Sequence, residues 1–431
     1  MQHQHNEENI GAGFYGLGIA PAILETLNHL HFKTPTPIQK QAIPIAIQGK
    51  DVVGIAQTGT GKTLAFGIPM IQRISETKGQ GLVVLPTREL ALQVEEALRK
   101  IGHTIGLRTA VLIGGLSLGP QIFALSKKPH IIIATPGRLI DHLQQKNVRL
   151  DDTRIVVLDE ADRMLDMGFL PQIEKIFHAL PKERQTMLFS ATMPPEIMKM
   201  ASRHTKIPVR VEIAPAGTMA ERVTHELFIV PKDQKIRLLG KLLETYQGPT
   251  LVFTRTKHGA TKITRQIRNS GVSAAEIHSN RSLNQRKEAL GGFKSGKYRV
   301  LVATDIASRG IDVIGIELVI NFDLPSTSDD YIHRIGRTAR AGAGGHAITF
   351  ASPGEQREVR GIEHAIRKSL PISKLPELPP QAPVSQFSPR AFVPPPPQRN
   401  YPQHSRSPRP FHPGGGGGGL HRRRRPGGNR F

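Results

Sequence analysis

Residues 51–63 read DVVGIAQTGTGKT: a short β-branched run passes directly into a loop holding two glycines, a lysine and three threonines, and an apolar helical stretch follows. That order, a buried strand passing into a glycine-rich loop and then a helix, is the context a phosphate-binding loop needs. Gly59 and Gly61 let backbone N–H groups point at phosphate oxygens, Lys62 adds a point charge, and Thr63 offers a hydroxyl to Mg²⁺. Ala56, Gln57, Thr58 and Thr60 complete the loop, with Ala56 where the common pattern has glycine. A plain glycine-rich turn before a helix is the rival reading.

A magnesium–nucleotide site also needs a carboxylate at the end of a neighbouring strand, and RIVVLDEAD supplies Asp159 with Glu160 beside it. Asp159 is expected to hold the ion through water, and Glu160 to orient or deprotonate an attacking water. A helix N-terminus welcoming negative charge accounts for Asp162 but not for two carboxylates at a strand exit.

The same rhythm recurs along the chain. DVVGIA, GLVVLP, HIIIAT, RIVVLD and QTMLFSA alternate with helical patterns, one of them starting at Glu89, and after about residue 220 THELFIV, PTLVFT, YRVLVAT, IELVINF and HAITF do so again. At roughly 100–200 residues per domain, 431 residues accommodate two such α/β units. The expected layout is a first domain over 1–212, a linker over 213–221 (Pro215, Gly217), a second domain over 222–370 with a helix from Lys257 to Asn269, and a tail over 371–431.

The tail carries 15 of the 34 prolines, six glycines from Gly414 to Gly419, and an excess charge of +9 that includes Arg422 to Arg425. Such a composition predicts disorder, and a sequence-independent RNA tether is favoured over a bare spacer because arginines gain affinity by releasing counterions. The remaining +14 of the net +23 lies on residues 1–370, so nucleic acid is the first candidate partner. With no cysteine, disulfides, thiolate metal sites and cysteine nucleophiles are excluded. No apolar run approaches membrane-spanning length and the polar start MQHQHNEENI resembles no leader, so a cytoplasmic protein without membrane contact is expected. The histidines, His3, His5 and His278 among them, show no metal spacing.

These residues bring the chain to a resemblance. In uninterrupted order it holds FKTPTPIQ (32–39), AQTGTGKT (56–63), PTRELA (86–91), GG (114–115), TPGR (135–138), DEAD (159–162), SAT (190–192), LVFT (251–254), ATDIASRGID (303–312) and HRIGRTAR (333–340). Over about residues 14–370 it resembles the DEAD-box ATP-dependent RNA helicases, most closely the bacterial RhlE-like branch. The resemblance implies two tandem RecA-like parallel-sheet domains, ATP and Mg²⁺ as cofactors, and RNA as partner.

By the same resemblance, Gln39 pairs with the adenine edge through its amide. Phe32 and the upstream aromatic Phe14 stack on the ring, with core packing as their rival. Ser190 and Thr192 bond Asp162 and couple the nucleotide site to the interdomain face. Arg337 and Arg340 act as arginine fingers from the second domain, with a basic surface helix as the alternative, and Gly310 and Asp312 reach the ribose. RNA backbone contacts fall to Thr87, Arg88, Gly115, Thr135, Arg138, Arg286 and Thr304.

The chain departs from the family at His31 and Ala339, both usually Gly, as well as at Ala56. Leu283 stands where a Gln usually precedes Arg286 by three, leaving Arg286 to act alone. The reading is an RNA-dependent ATPase that separates short duplexes locally as a monomer, with ribonucleoprotein or RNA-decay partners. An ATP-gated RNA clamp uses the same residues, and a DNA-directed motor of the same build is the third option.

Overall fold

Alternating strand and helix produce two doubly covered parallel sheets in this computed structural model, which describes residues 13–57, 59–213, 223–305, 313, 315–338 and 344–379. In the first sheet β1 (Val52–Ile55), β2 (Gln80–Val84), β3 (Thr109–Leu112), β4 (Ile131–Ala134), β5 (Thr153–Leu158), β6 (Gln185–Ser190) and β7 (Val209–Glu212) lie in the order β3-β4-β2-β5-β6-β1-β7. In the second, β8 (Val223–Ile229), β9 (Thr250–Phe253), β10 (Ala274–Ile277), β11 (Val300–Ala303), β12 (Leu318–Asn321) and β13 (Gly345–Ala351) lie in the order β10-β11-β9-β12-β13-β8. Every pairing between these strands is parallel.

Apolar residues line both faces because helices cover both. Along β5, Ile155 and Val157 enter one core while Val156 and Leu158 enter the other, the two-residue alternation of a pleated strand. Phe66 from the helix Lys62–Thr77 packs on Phe189 of β6 with ring centres 5.5 Å apart, which seats that helix over the sheet.

A parallel sheet has a functional consequence: all its strands point their C-terminal ends at one edge, so the following loops collect there. The exits of β1, β5 and β6 form one half of that edge in the first domain, and those of β2, β4 and β3 the other.

The helix Arg88–Gly102 begins one residue before the expected start, and Lys257–Asn269 spans the expected residues, with the Thr256 hydroxyl accepting the Gly259 N–H at 2.9 Å. The expected tail boundary is corrected. Residues 371–379 lie along the second domain: the Leu227 N–H donates to Pro371 O and the Ser373 N–H to Leu227 O, both at 2.9 Å. The Arg237 guanidinium also donates to Pro379 O, and Leu378 packs on the core. The exposed backbone at β8, an edge of the second sheet, gains a partner there, which outweighs the proline-rich composition of the segment. The remainder of the tail, and the linker beyond Ile213, lie outside the described residues.

Candidate active site

The loop after β1 is held open by its glycines and braced by one glutamine. Gly59 and Gly61 take φ of 86° and 88°, and a Cβ on Gly61 would overlap the Gln39 amide. Gln39 is buried. Its Oε1 accepts the Thr36 N–H at 2.9 Å, the glutamine half of a capping box, and its Nε2 donates to Gly61 O at 3.0 Å. One amide hydrogen and one lone pair therefore stay available for an adenine edge, while the others shape the loop. Lys62 is buried as well and donates from Nζ to Ala56 O at 2.7 Å, and Thr60 Oγ1 donates to Gln57 O at 2.7 Å. The helix that follows has no side-chain cap, so its first N–H groups are left for a phosphate, and half-buried Thr63 stands in its first turn.

β5 carries the carboxylates to this loop. Asp159 is buried and accepts the Glu160 N–H at 2.9 Å; burial pushes its carboxyl up to about 7 against the opposing pull of Lys62, and neighbouring Glu160 adds to the rise. Glu160 is held in the left-handed region at φ 55° and ψ 51°, strained for a residue with a Cβ, and its carboxylate pairs with Arg163. Burial alone would raise Glu160, yet Arg163, Lys62 and Arg337 hold it below the ordinary carboxylate range.

The third carboxylate ties two strands together. Asp162 Oδ2 accepts the N–H groups of Ala191 at 3.0 Å and Thr192 at 2.8 Å and the Thr192 hydroxyl at 3.0 Å, while the Asp162 N–H donates to Ser190 Oγ at 3.2 Å. Into the same cleft comes the second domain. Arg337 and His333 line it together with Glu160, Asp162, Arg163 and Asp166. The helix Ser328–Ile335 ends just short of Arg337, whose Nε donates to His333 O at 3.2 Å.

That approach depends on a residue the sequence reading passed over. Arg334 is 2% exposed and bonds Asp305 through two nitrogens at 2.6 and 2.8 Å, Asn321 Oδ1 at 3.1 Å and Asp323 O at 2.7 Å, with its guanidinium over the Phe253 ring. It knots the exits of β9, β11 and β12 under the helix that presents His333 and Arg337. Glu89 and Arg163 were also missed. Their signal was position only: each follows a motif residue and carries the opposite charge to its distant or local partner.

Of the other expected nucleotide contacts, Phe14 lies in the first-domain core at 4% exposure, and Phe32 is 41% exposed. Thr58, Gly310, Asp312 and Arg340 lie outside the described residues, as does Ala339. His31 takes φ 61°, which accounts for the glycine usual at that position.

The expected RNA contacts of the first domain gather at the β2, β3 and β4 exits. Thr87 caps the helix Arg88–Gly102, its hydroxyl accepting the Leu90 N–H at 3.3 Å. Arg88 lies against Gly114 and Gly115; at Gly115, φ 75°, a Cβ would overlap the guanidinium. Thr135 opens the helix Pro136–Gln144, and Arg138 from that helix donates to Leu116 O at 2.9 Å. Thr304 follows β11 in the second domain. Arg286 is turned instead onto the first domain, where its Nη2 donates to Glu89 Oε2 at 2.7 Å.

The donor set suits magnesium: a buried carboxylate, a half-buried hydroxyl and an open phosphate cradle are hard oxygen ligands and substrate oxygens. Among the described residues no group of three His, Asp or Glu could hold a metal on its own.

Comparison with known proteins agrees with this geometry. The model of the DEAD/DEAH box helicases matches residues 36–200, and that of the helicase conserved C-terminal domain matches 234–342. The chain is 43% identical over 361 residues to the ATP-dependent rRNA helicase RRP3 of Yarrowia lipolytica, covering 83% of this chain and 75% of that one. It is 42% identical over 369 residues to the DEAD-box ATP-dependent RNA helicase CshA of Geobacillus kaustophilus, covering 85% and 79%. Among solved structures, the helicase Mss116 bound to single-stranded RNA and UDP-BeF superposes with a TM-score of 0.77 at 29% identity, covering 84% and 80%. Dbp5 of S. cerevisiae bound to RNA and ADP BeF3 does so with 0.76 at 27%, covering 84% and 96%.

Proposed function

The chain belongs to the DEAD-box helicase family, and from that premise we propose how its own residues perform an RNA-dependent ATP hydrolysis. The protein is an ATP-dependent RNA helicase, which unwinds or remodels RNA by closing two RecA-like domains on nucleotide and RNA. One observation carries the assignment of roles: Arg337 of the second domain shares a cleft with Glu160 and Asp162 of the first, so the site is completed only when the domains meet.

In that closed cleft the 59–63 loop cradles the phosphates, Lys62 leaves Ala56 O to pair with them, and Gln39 reads adenine with its remaining hydrogen and lone pair. Mg²⁺, held by Asp159 and Thr63, would neutralise charge on the phosphate oxygens. Glu160, kept ionised by its cationic neighbours, orients the attacking water and takes its proton, and Arg337 with Arg340 faces the charge that develops on the transferred group. Asp162, Ser190 and Thr192 link that chemistry to the interdomain face.

RNA lies across the β2, β3 and β4 exits, met by Arg88, Gly115, Thr135 and Arg138 with Thr87 holding the helix start, and by Thr304 from the second domain. Such contacts position a strand without reading its sequence. A cytoplasmic monomer of the RhlE-like branch with ribonucleoprotein or decay partners completes the proposal, on composition and resemblance. The test is ATP turnover with and without single-stranded RNA: stimulation by RNA is expected, and RNA-independent turnover at the full rate would overturn the reading.

A further inference from the structure

The helix Leu283–Lys294 belongs to the second domain, where Ala289 and Phe293 enter the core beside β10 and β11. Its first turn is presented rigidly. Ser282 Oγ accepts the Gln285 N–H at 3.3 Å and Gln285 Oε1 accepts the Ser282 N–H at 2.9 Å, a complete capping box. Leu283 and Arg286, three residues apart and so neighbours on the helix surface, lie at its N-terminal end, where they meet the first domain. Leu283 is 5% exposed and packs into the hydrophobic cluster of the first domain, and Arg286 pairs with Glu89 in the first turn of the first-domain helix Arg88–Gly102.

The ion pair alone is a poor reason for the contact. Glu89 Oε1 and Arg286 Nε are buried without a hydrogen-bond partner, so two charges are desolvated for one short bond, an exchange that seldom yields net stability. Leu283 supplies the favourable part, because its apolar surface leaves water only where the first domain meets it. A glutamine in that place would bury an amide in an apolar setting.

We propose that Leu283 and Arg286 form an interdomain clasp on the first domain, with Glu89 as its positioning residue, and that Leu283 converts a turn assigned by resemblance to RNA contact into one that favours domain closure. The contact exists only when the domains meet, so it shifts the equilibrium toward the closed state and lowers the RNA needed to reach it. The inference rests on the ATP- and RNA-driven closing argued above.

Because the chain has no cysteine, one introduced at each of the exposed positions Asp151 and Lys262 allows labelling of the full chain for energy transfer between the domains. With a non-hydrolysable ATP analogue and increasing single-stranded RNA, Leu283→Gln is expected to raise the RNA concentration for half-closure about 5- to 30-fold. The ATPase rate at saturating RNA and ATP should stay within about two-fold of the parent, a split that a merely structural lesion would not produce. Leu283→Met keeps the volume and should match the parent.

An unchanged or lowered half-closure concentration in Leu283→Gln, with an unchanged melting temperature, would overturn the clasp. Should that variant melt early, Glu89→Gln decides by the same measurement, with a rise of several-fold expected and no rise fatal. A parent that fails to close with analogue and RNA would instead overturn the functional reading itself, and the clasp with it.

Discussion

Asp162 and Thr192 are joined twice, by the Thr192 backbone N–H at 2.8 Å and its hydroxyl at 3.0 Å, both to the same carboxylate oxygen. Two strand exits are therefore fastened at one atom beside the cleft that receives Arg337. Hydrogen bonds to a charged acceptor contribute about 1.5–3 kcal/mol each. Thr192→Val keeps the shape and removes only the hydroxyl bond, so it should lower the melting temperature by a few degrees and reduce RNA stimulation of hydrolysis, while Thr192→Ser retains both. Calorimetry and ATP turnover with RNA check this, and a valine variant indistinguishable from the parent would contradict the fastening role.

Glu160→Gln should separate binding from chemistry. The amide preserves the site's volume and can still meet Arg163, but it cannot take a proton from water. Turnover is expected to fall by about 10²–10⁴ while ATP and RNA still bind, whereas Lys62→Ala should weaken both nucleotide affinity and turnover. Single-turnover hydrolysis beside equilibrium binding distinguishes the two variants.

Asp159 sets function against stability. Its folded carboxyl stands near 7 against an ordinary value of 3.8, so above pH 7 the native state carries a buried charge that the unfolded chain keeps in water. The sign follows: the burden is full above pH 7 and is relieved as pH falls toward 4, because the folded state takes up the proton first. Asp159→Asn removes it at every pH. In nucleotide- and magnesium-free buffer the variant should therefore be more stable than the parent at pH 8, by roughly 2–4 kcal/mol, with the gain shrinking below pH 7 and largely gone near pH 4, and it should not hydrolyse ATP. Denaturant midpoints across pH measure this, and a pH-independent difference would refute the charge as its source.

The readings from sequence failed in a physically consistent place. β3, β7 and β10 were not foreseen, and all three are edge strands. An edge strand needs no continuous apolar run, and TAVL, VRVE and AAEI each break theirs with polar or small residues. Central strands such as IIIA in β4, covered on both faces, announce themselves by composition alone. The phosphate loop was legible because strand, glycines and lysine are contiguous. Glu89 with Arg286 and Arg334 with Asp305 were not, since their partners are 197 and 29 residues away and nothing in a linear pattern links them.

The revised tail boundary changes how a truncation must be made. Residues 380–431 hold the +9 excess, while 371–379 are bound along the second domain beside β8. Deleting 380–431 should leave the melting temperature and RNA-free ATPase intact and flatten the salt dependence of RNA affinity, because fewer phosphates are neutralised. Deleting 371–431 should in addition destabilise the second domain, which loses the bonds at Leu227. Identical salt slopes for the full chain and the 380–431 deletion would show that the tail's charge never meets RNA.

Arg337→Ala offers the sharpest test of the closed cleft. Arg337 is buried against the first domain's Glu160 and Asp162, where a surface arginine would be solvated. A finger aimed at a phosphoryl-transfer transition state contributes about 10³–10⁵ in rate, so turnover with RNA should fall by that order, and Arg340→Ala is expected to do the same. An arginine that merely held RNA phosphate would behave otherwise, since excess RNA restores a weakened complex but cannot replace a missing transition-state charge. The deciding measurement is turnover at saturating RNA and ATP. Recovery to the parent rate would remove both arginines from the chemistry and leave Glu160 and Lys62 to carry it from the first domain alone.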